Sequence, residues 1–213
     1  EALYCALEKA IITGTGKNEP TGLDRDIHKG VSFNSETGYP QKTAVKVTSF
    51  SPEEYGALLA TLAVSETGRN RSFDQVTMVC NMVDYLTKIM PATTVLNTEG
   101  RYVNNLFPFP TEVIRSTEVP TGKAIVFLPE EYFMGIGASK DGTIEYSDDY
   151  QFLEDTRVFK IRLHGNGRAY DNTVAILLDI SELDVAYITV KQKADATSGG
   201  SSTDGGTDDE EST

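Results

Sequence analysis

Enzyme chemistry needs a base, a nucleophile or two facing carboxylates, and this chain offers few of them. Only His28 and His164 can serve as imidazole bases. His28 falls in a polar, turn-rich stretch. His164 stands on the outward side of an alternation, Phe159, Ile161 and Leu163 against Lys160, Arg162 and His164, which is the pattern of a half-exposed strand. No Gly-x-Ser-x-Gly elbow accompanies either, so a nucleophilic triad has no frame. The pairs Glu130-Glu131 and Asp148-Asp149 could in principle run glycoside hydrolysis. Neighbours on a strand point to opposite faces, however, so solvated or subunit-contact charge is the expected role. No calcium-loop spacing surrounds Asp148 and Asp149. Gly14-Thr15-Gly16-Lys17 looks faintly like a phosphate loop. A true one has four residues between its glycines and Ser or Thr after its lysine, whereas Asn18 follows Lys17. Cys5 and Cys80 lack metal-ligand spacing and are expected as buried reduced thiols. No catalytic residue, metal or cofactor is expected.

Composition narrows the classes further. The net charge is −13, of which −6 lies in residues 194–213, a Gly, Ser, Thr and acid stretch without Lys or Arg. Such a segment has little apolar surface to offset its ordering cost and is expected to be disordered. The rest of the chain is mildly acidic, which disfavours direct nucleic-acid binding. Tyr132, Phe133, Tyr146, Tyr150, Phe152 and Phe159 could form a base-stacking platform, but no basic cluster runs beside them, so a packing role is expected. No unbroken apolar run is long enough to cross a membrane.

The elements that would position these residues read as α+β, a mixed β-sheet flanked by helices. Glu1–Ile12 is an amphipathic helix with Leu3, Leu7, Ala10 and Ile11 as its stripe. It lacks a preceding cap, and the chain is expected to be a piece of a longer protein. Residues 13–23 form a glycine-rich loop, and 24–41 a polar surface segment. Val45 and Val47 suggest a short strand. Ser51-Pro52-Glu53-Glu54 is a capping box, with Tyr55, Leu58, Leu59 and Leu62 on the helix it starts and Gly68 at its end. Val76–Cys80 is a strand. A helix capped by Asn81 follows, with Met82, Leu86, Ile89 and Met90 inward and Pro91 as its stop. Residues 97–105 form a polar connection, and Phe107-Pro108-Phe109-Pro110 covers the sheet.

From Val113 to Asp179 the pattern is a series of short strands. They are centred on Val113-Ile114, Lys123–Leu128, Tyr132–Ile136, Ile144–Tyr146, Phe159–Leu163 and Thr173–Ile180. Turn signals lie at Val119–Gly122, at Asp141-Gly142 and at Gly165-Asn166-Gly167. Val185–Val190 offers one more short strand.

The ordered set of these motifs resembles the second half of tailed-phage major capsid proteins of the Hong Kong 97 type. It rests on Phe107–Val113, Val119–Ala124, Tyr132–Gly137, Ile144–Asp148, Phe152–Arg157, Gly165–Gly167 and Asp171–Thr173. Residues 1–23 are similar to the end of that family's spine helix and the loop after it. The resemblance implies a peripheral-domain part at 1–23, an axial-type α+β domain at 24–183, a short extension at 184–193 and an acidic tail at 194–213. It implies a structural head protein of a phage or prophage. Such a protein assembles with copies of itself into pentamers and hexamers of an icosahedral shell. It meets scaffold, portal and decoration proteins, and neither binds nucleic acid specifically nor enters a membrane. The location would be the virion, after assembly in the bacterial cytoplasm.

Some family members crosslink their subunits through a Lys, an Asn and an assisting Glu. The Asn position falls near Asp155 and the Glu position near Arg162, so no autocatalytic crosslink is expected. An encapsulin-like compartment protein is the alternative reading, and a hydrolase using Asp148 or Glu130 a more distant one. Candidate subunit-contact residues are Gly14, Thr15, Gly16, Asp148, Asp149, Glu154, Asp155, Arg157, Arg162 and Arg168. In this reading the acids meet the arginines across a rim, where charge sets register and specificity.

Overall fold

The computed structural model describes residues 2–96, 100–137, 143–147, 158–162 and 164–184. The strand expected at Val185–Val190, the acidic tail and the Asp141-Gly142 turn lie outside these residues.

Helix α1 (Ala2–Thr13) is closed by the loop that follows it. Its last carbonyls have no partner within the helix. The chain doubles back to supply donors: Leu23 N–H to Ile11 O at 2.9 Å, Asp24 N–H to Ile12 O at 3.2 Å, and an Arg25 guanidinium N–H to Thr13 O at 2.8 Å. Ala10 and Ile12 are the buried residues of the helix, whereas Leu3, Leu7 and Ile11 are only half-buried. The expected stripe is therefore turned, because the closing loop holds Ile12 against Leu23 and the sheet. The segment after it is less superficial than its composition implies: Asp24 and Ile27 are buried.

Strand β1 (Val45–Lys46) leads to helix α2 (Pro52–Leu62). Ser51 caps α2 as expected, its hydroxyl accepting from Glu54 N–H at 3.2 Å. The Glu54 carboxylate reaches past the cap and accepts from Ser49 N–H at 2.9 Å and from the Ser49 hydroxyl at 3.0 Å. The helix ends at Leu62, ahead of Gly68, which serves a later turn. Strand β2 (Val76–Cys80) is buried throughout.

The helix after β2 is broken into α3 (Met82–Asp84), a π-turn (Tyr85–Ile89) and α4 (Met90–Ala92). Pro91 thus sits within the helix and does not stop it. Proline lacks the N–H for the ordinary bond and crowds the carbonyl four residues back, and a widened turn just before it relieves that contact. The extra residue rotates the apolar face. Tyr85 and Ile89 are buried, while Met82 and Leu86, expected inside, are 44% and 45% exposed. The connection after α4 holds a minimal antiparallel pair, β3 (Val95–Leu96) with β4 (Tyr102–Val103).

Strand β5 (Thr111–Arg115) precedes a long antiparallel ribbon. In it β6 (Lys123–Phe127) pairs with β11 (Ala175–Asp179) and β7 (Tyr132–Ile136) with β10 (Gly165–Ala169), while β8 (Thr143–Ser147) and β9 (Val158–Arg162) form a separate antiparallel pair. Leu128 N–H to Val174 O at 3.1 Å and Tyr170 N–H to Glu131 O at 2.8 Å carry the ladder across two 3-10 turns. Gly165-Asn166-Gly167, expected as a turn, lies in β10. Gly167 is needed there because a Cβ would stand 2.9 Å from the Tyr132 hydroxyl.

The main sheet has the order β1-β11-β6-β2-β5, with β1 parallel to β11, β2 parallel to β5, and antiparallel pairing between. This is the mixed sheet of an α+β fold. One face, with Met78, Ala124, Val126 and Leu178, packs on Tyr55, Leu59 and Leu62 of α2 and on Tyr85 and Ile89 of the π-turn. Fully burying each such large side chain stabilises by about 1.5–3 kcal/mol. Phe107 and Phe109 pack against this cluster as expected, Phe107 stacking at 5.4 Å on Phe50 and 5.7 Å on Tyr55. The other face, with Val79, Ile125 and Leu177, packs on Ile12, Leu23 and Val119.

Candidate subunit interface

Among the described residues, those with reactive groups are not gathered into a catalytic arrangement. His28 is exposed, with Nε2 3.2 Å from Glu66 Oε1, and its Nδ1 accepts from Gly30 N–H at 3.1 Å. His164 is exposed and bonds through its backbone to Gly137. Cys80 is buried and its thiol is pushed up to about 12, first by burial and then by the nearby Asp84 charge. Cys5, expected inside, is exposed on α1. Glu130 and Glu131 border a recess of about 340 Å³ together with Asp74, Glu112 and Arg71. The Arg71 guanidinium is already committed to Asp171 and to the Thr173 hydroxyl. Asp148 and Asp149 lie outside the described residues. Among the described residues no group of three His, Cys, Asp or Glu could hold a metal ion, and no helix is long and apolar enough to cross a membrane.

The glycine-rich loop folds on itself. Glu19 Oε1 accepts from both the N–H and the hydroxyl of Thr15, each at 2.7 Å, so a carboxylate occupies the place where a phosphate would have to sit. Lys17 Nζ donates to Glu36 O at 3.0 Å. Gly14 is buried, and a Cβ there would lie 2.3 Å from the carbonyl oxygens of Ala10 and Pro20. Its requirement for glycine is internal, and it offers no surface to a neighbour. Thr15 and Gly16 are half-buried, Gly16 at a φ of 81° that suits glycine. The loop docks on β10 through Thr21 N–H to Gly167 O at 2.7 Å, and the Tyr132 hydroxyl donates to Thr21 O at 3.0 Å.

Of the charged candidates, Arg168 is exposed on β10 with its guanidinium 5.7 Å from the centre of the Tyr39 ring. Arg162 ends β9, opposite Thr143. Asp148, Asp149, Glu154, Asp155 and Arg157 fall outside the described residues.

The structure adds a surface that the sequence pattern did not mark. On β7 and just past β10, Phe133 and Tyr170 are 62% and 68% exposed, with ring centres 6.5 Å apart. Ile136 extends β7's apolar side chains toward its end. Val83, Leu86, Tyr102 and Leu106 are exposed elsewhere, Tyr102 at 72%. Large exposed aromatic groups are what mark contact surfaces. Alternation alone could not find them, since an outward Phe and an inward one look alike in a strand of five residues.

With this geometry, solved structures supply the comparison. The chain matches the capsid of a native GTA particle with a TM-score of 0.52 and that of an empty GTA particle with 0.50. Both matches are at 13% identity, covering 84% of this chain and 62% of the matched chain. The fold is capsid-type. A virus-like particle from Pyrococcus furiosus also matches, with a TM-score of 0.42 at 16% identity over 64% of this chain and 55% of that one. No family model and no curated protein matches. The chain spans 62% of the length of the two GTA capsid proteins. In the capsid-type fold described here, the main sheet, the α2 layer and the β7–β10 ribbon form the frame on which the exposed rings and Arg168 are carried.

Proposed function

We propose that the chain is a structural shell subunit, the major head protein of a tailed phage or prophage of the Hong Kong 97 type. It performs no catalysis. The observation that carries this reading is the likeness of 84% of the chain to capsid subunits. The exposed aromatic pair on the β7–β10 ribbon supports it, because a lone subunit gains nothing from displaying such rings. In this reading the subunit tiles with copies of itself as pentamers and hexamers, and scaffold and portal proteins guide closure. It resides in the virion after assembly in the host cytoplasm. The acids Asp148, Asp149, Glu154 and Asp155 of one copy meet Arg157, Arg162 and Arg168 of the next. Head-to-tail contacts of this kind generate rings. A mildly acidic wall would also not hold packaged DNA fast.

Sedimentation velocity and negative-stain imaging of the purified protein test the reading. Rings, sheets or shells are expected. A monomer at every concentration, with measurable hydrolytic turnover, overturns it. Arg157→Glu with Arg162→Glu is expected to abolish assembly while leaving the subunit folded, and normal assemblies from that variant refute the charged rim.

A further inference from the structure

The main sheet ends at β1, and the backbone shows what belongs beside it. Val47 N–H donates to Asp179 O at 3.0 Å, so the odd-numbered positions of β1 turn their backbone groups toward β11. Ala44, Lys46 and Thr48 therefore turn theirs outward. One of these outward groups is already used: Asp184 N–H donates to the Thr48 carbonyl at 2.8 Å. The chain has by then turned back after β11, with Leu183 N–H bonded to Ile180 O at 3.3 Å, and it heads along the open edge of β1. The next residues are Val185-Ala186-Tyr187-Ile188-Thr189-Val190, β-branched and aromatic types that favour strands.

We propose that residues 185–190 add to the outer edge of β1 as an antiparallel sixth strand in the register set by the Asp184–Thr48 bond. That register makes Ala186 with Lys46 and Ile188 with Ala44 the hydrogen-bonded pairs. Val185 with Val47 and Tyr187 with Val45 are then the non-hydrogen-bonded ones. Val47 is buried on the α2 side of the sheet, so Val185 and Tyr187 fall on that side.

A recess of about 310 Å³ opens there, lined by Lys46, Val47, Glu54, Ala57 and Leu58. Beside it Val45 is 43% exposed, an unusual state for a valine in a sheet. Val185 and Tyr187 fill the recess and cover Val45. On the opposite side Ile188 meets Ala44, which already packs on the Ile12 cluster. The occupant is this chain's own segment, because Asp184, directly before it, holds the first rung of the ladder. An open edge is otherwise a template for any other strand. Closing it in this way directs association to other surfaces.

The test uses the full chain with the exposed Cys5 replaced by Ser. Non-hydrogen-bonded antiparallel pairs have the spacing a disulfide needs. Val45→Cys with Tyr187→Cys is expected to oxidise to an intrachain bond in a monomer. The yield should be about tenfold above the off-register pair Val45→Cys with Ile188→Cys, whose side chains point to opposite faces. Equal yields overturn the proposal. So do disulfide-linked dimers, which mean that a second copy supplies the strand.

An independent arm needs no cysteines. Amide exchange at Ala44 and Lys46 is expected to be slower by about tenfold or more in the full chain than in a chain ending at Asp184, with exchange in β2 unchanged. Equal rates at Ala44 and Lys46 overturn it.

Discussion

Lys42 is clamped to the turn before β11: its Nζ donates to the carbonyl oxygens of Asn172 and Ala175, each at 2.6 Å. The Asn172 carboxamide in turn accepts from Ile27 N–H at 3.0 Å, so the loop after α1 and the start of β11 are fastened by the same few atoms. Burial lowers the Lys42 amine to about 8, against the opposing pull of Asp26, Asp171 and Asp24.

The pH dependence of stability follows from that amine. Between about 8 and its ordinary 10.5 the unfolded chain holds a proton that the folded chain lacks, so stability rises with pH. Cys80, Tyr55 and Tyr132 act oppositely. Burial raises each to about 12, so folding loses ground above their ordinary values of 9.0 for the thiol and 10.0 for the phenols. Denaturant unfolding across pH is expected to show stability climbing between about pH 8 and 9, level to about 10 and falling beyond. The Lys42 shift corresponds to about 3 kcal/mol over its whole interval. Lys42→Met is expected to remove the climb and leave the fall. A climb that survives in Lys42→Met assigns the effect elsewhere.

Arg71 is the second clamp on the same turn. Its guanidinium serves Asp171, the Thr173 hydroxyl at 2.8 Å and the Leu62 carbonyl at 3.3 Å, and the Arg71 and Asp171 side chains are 9% and 12% exposed. Removing the cation strands a mostly buried carboxylate, which costs about 3 kcal/mol in such settings. Arg71→Ala is expected to lose that much in urea unfolding. Arg71→Lys is expected to recover only part, because one ammonium cannot reproduce a planar fork.

How far these features could be foreseen depends on the range of the interaction that sets them. The start of α2 was legible because Ser51, Pro52 and Glu54 act on their immediate neighbours. The buried strand at Lys123–Leu128 was legible because it is apolar on both faces. The π-turn was not, since Pro91 reads equally as a stop. Only the packing of Tyr85 and Ile89 on the sheet decides that the helix continues. Gly165 and Gly167 read as turn residues, yet Gly167 is a glycine because Tyr132 crosses over it. The same ambiguity hid the internal role of Gly14. A charged rim could be proposed from residue type alone, whereas Phe133 and Tyr170 needed the ribbon's two faces to be told apart.

The glycines themselves give a paired prediction. A Cβ at Gly14 would stand 2.3 Å from two carbonyl oxygens, both backbone and neither free to retreat. Gly14→Ala is expected to destabilise strongly and to release the loop from β10, visible as lost protection of the Thr21 amide. Gly56 lies in α2 with nothing within 4 Å of a Cβ. Gly56→Ala is expected to stabilise by about 0.5–1 kcal/mol, because alanine gives up less freedom on entering a helix. A destabilised Gly56→Ala would overturn the open space assigned to that side of α2.

Phe133 and Tyr170 separate a contact surface from a structural one. If their rings serve the fold, charging them costs stability. If they serve association, it costs only assembly. Their exposures of 62% and 68% predict the second outcome. Phe133→Asp with Tyr170→Asp is expected to leave the unfolding midpoint within about 0.5 kcal/mol of the parent, as for surface changes generally. The same variant is expected to shift sedimentation from assemblies to monomer, because desolvating two carboxylates in an interface core outweighs what the neighbouring contacts return. Arg168→Ala changes a charge on the same ribbon and should weaken association less, with a stronger dependence on salt in the parent than in the variant. Assemblies that persist in the double variant would move the subunit contact away from the β7–β10 ribbon, toward other exposed apolar side chains such as Val83 or Tyr102.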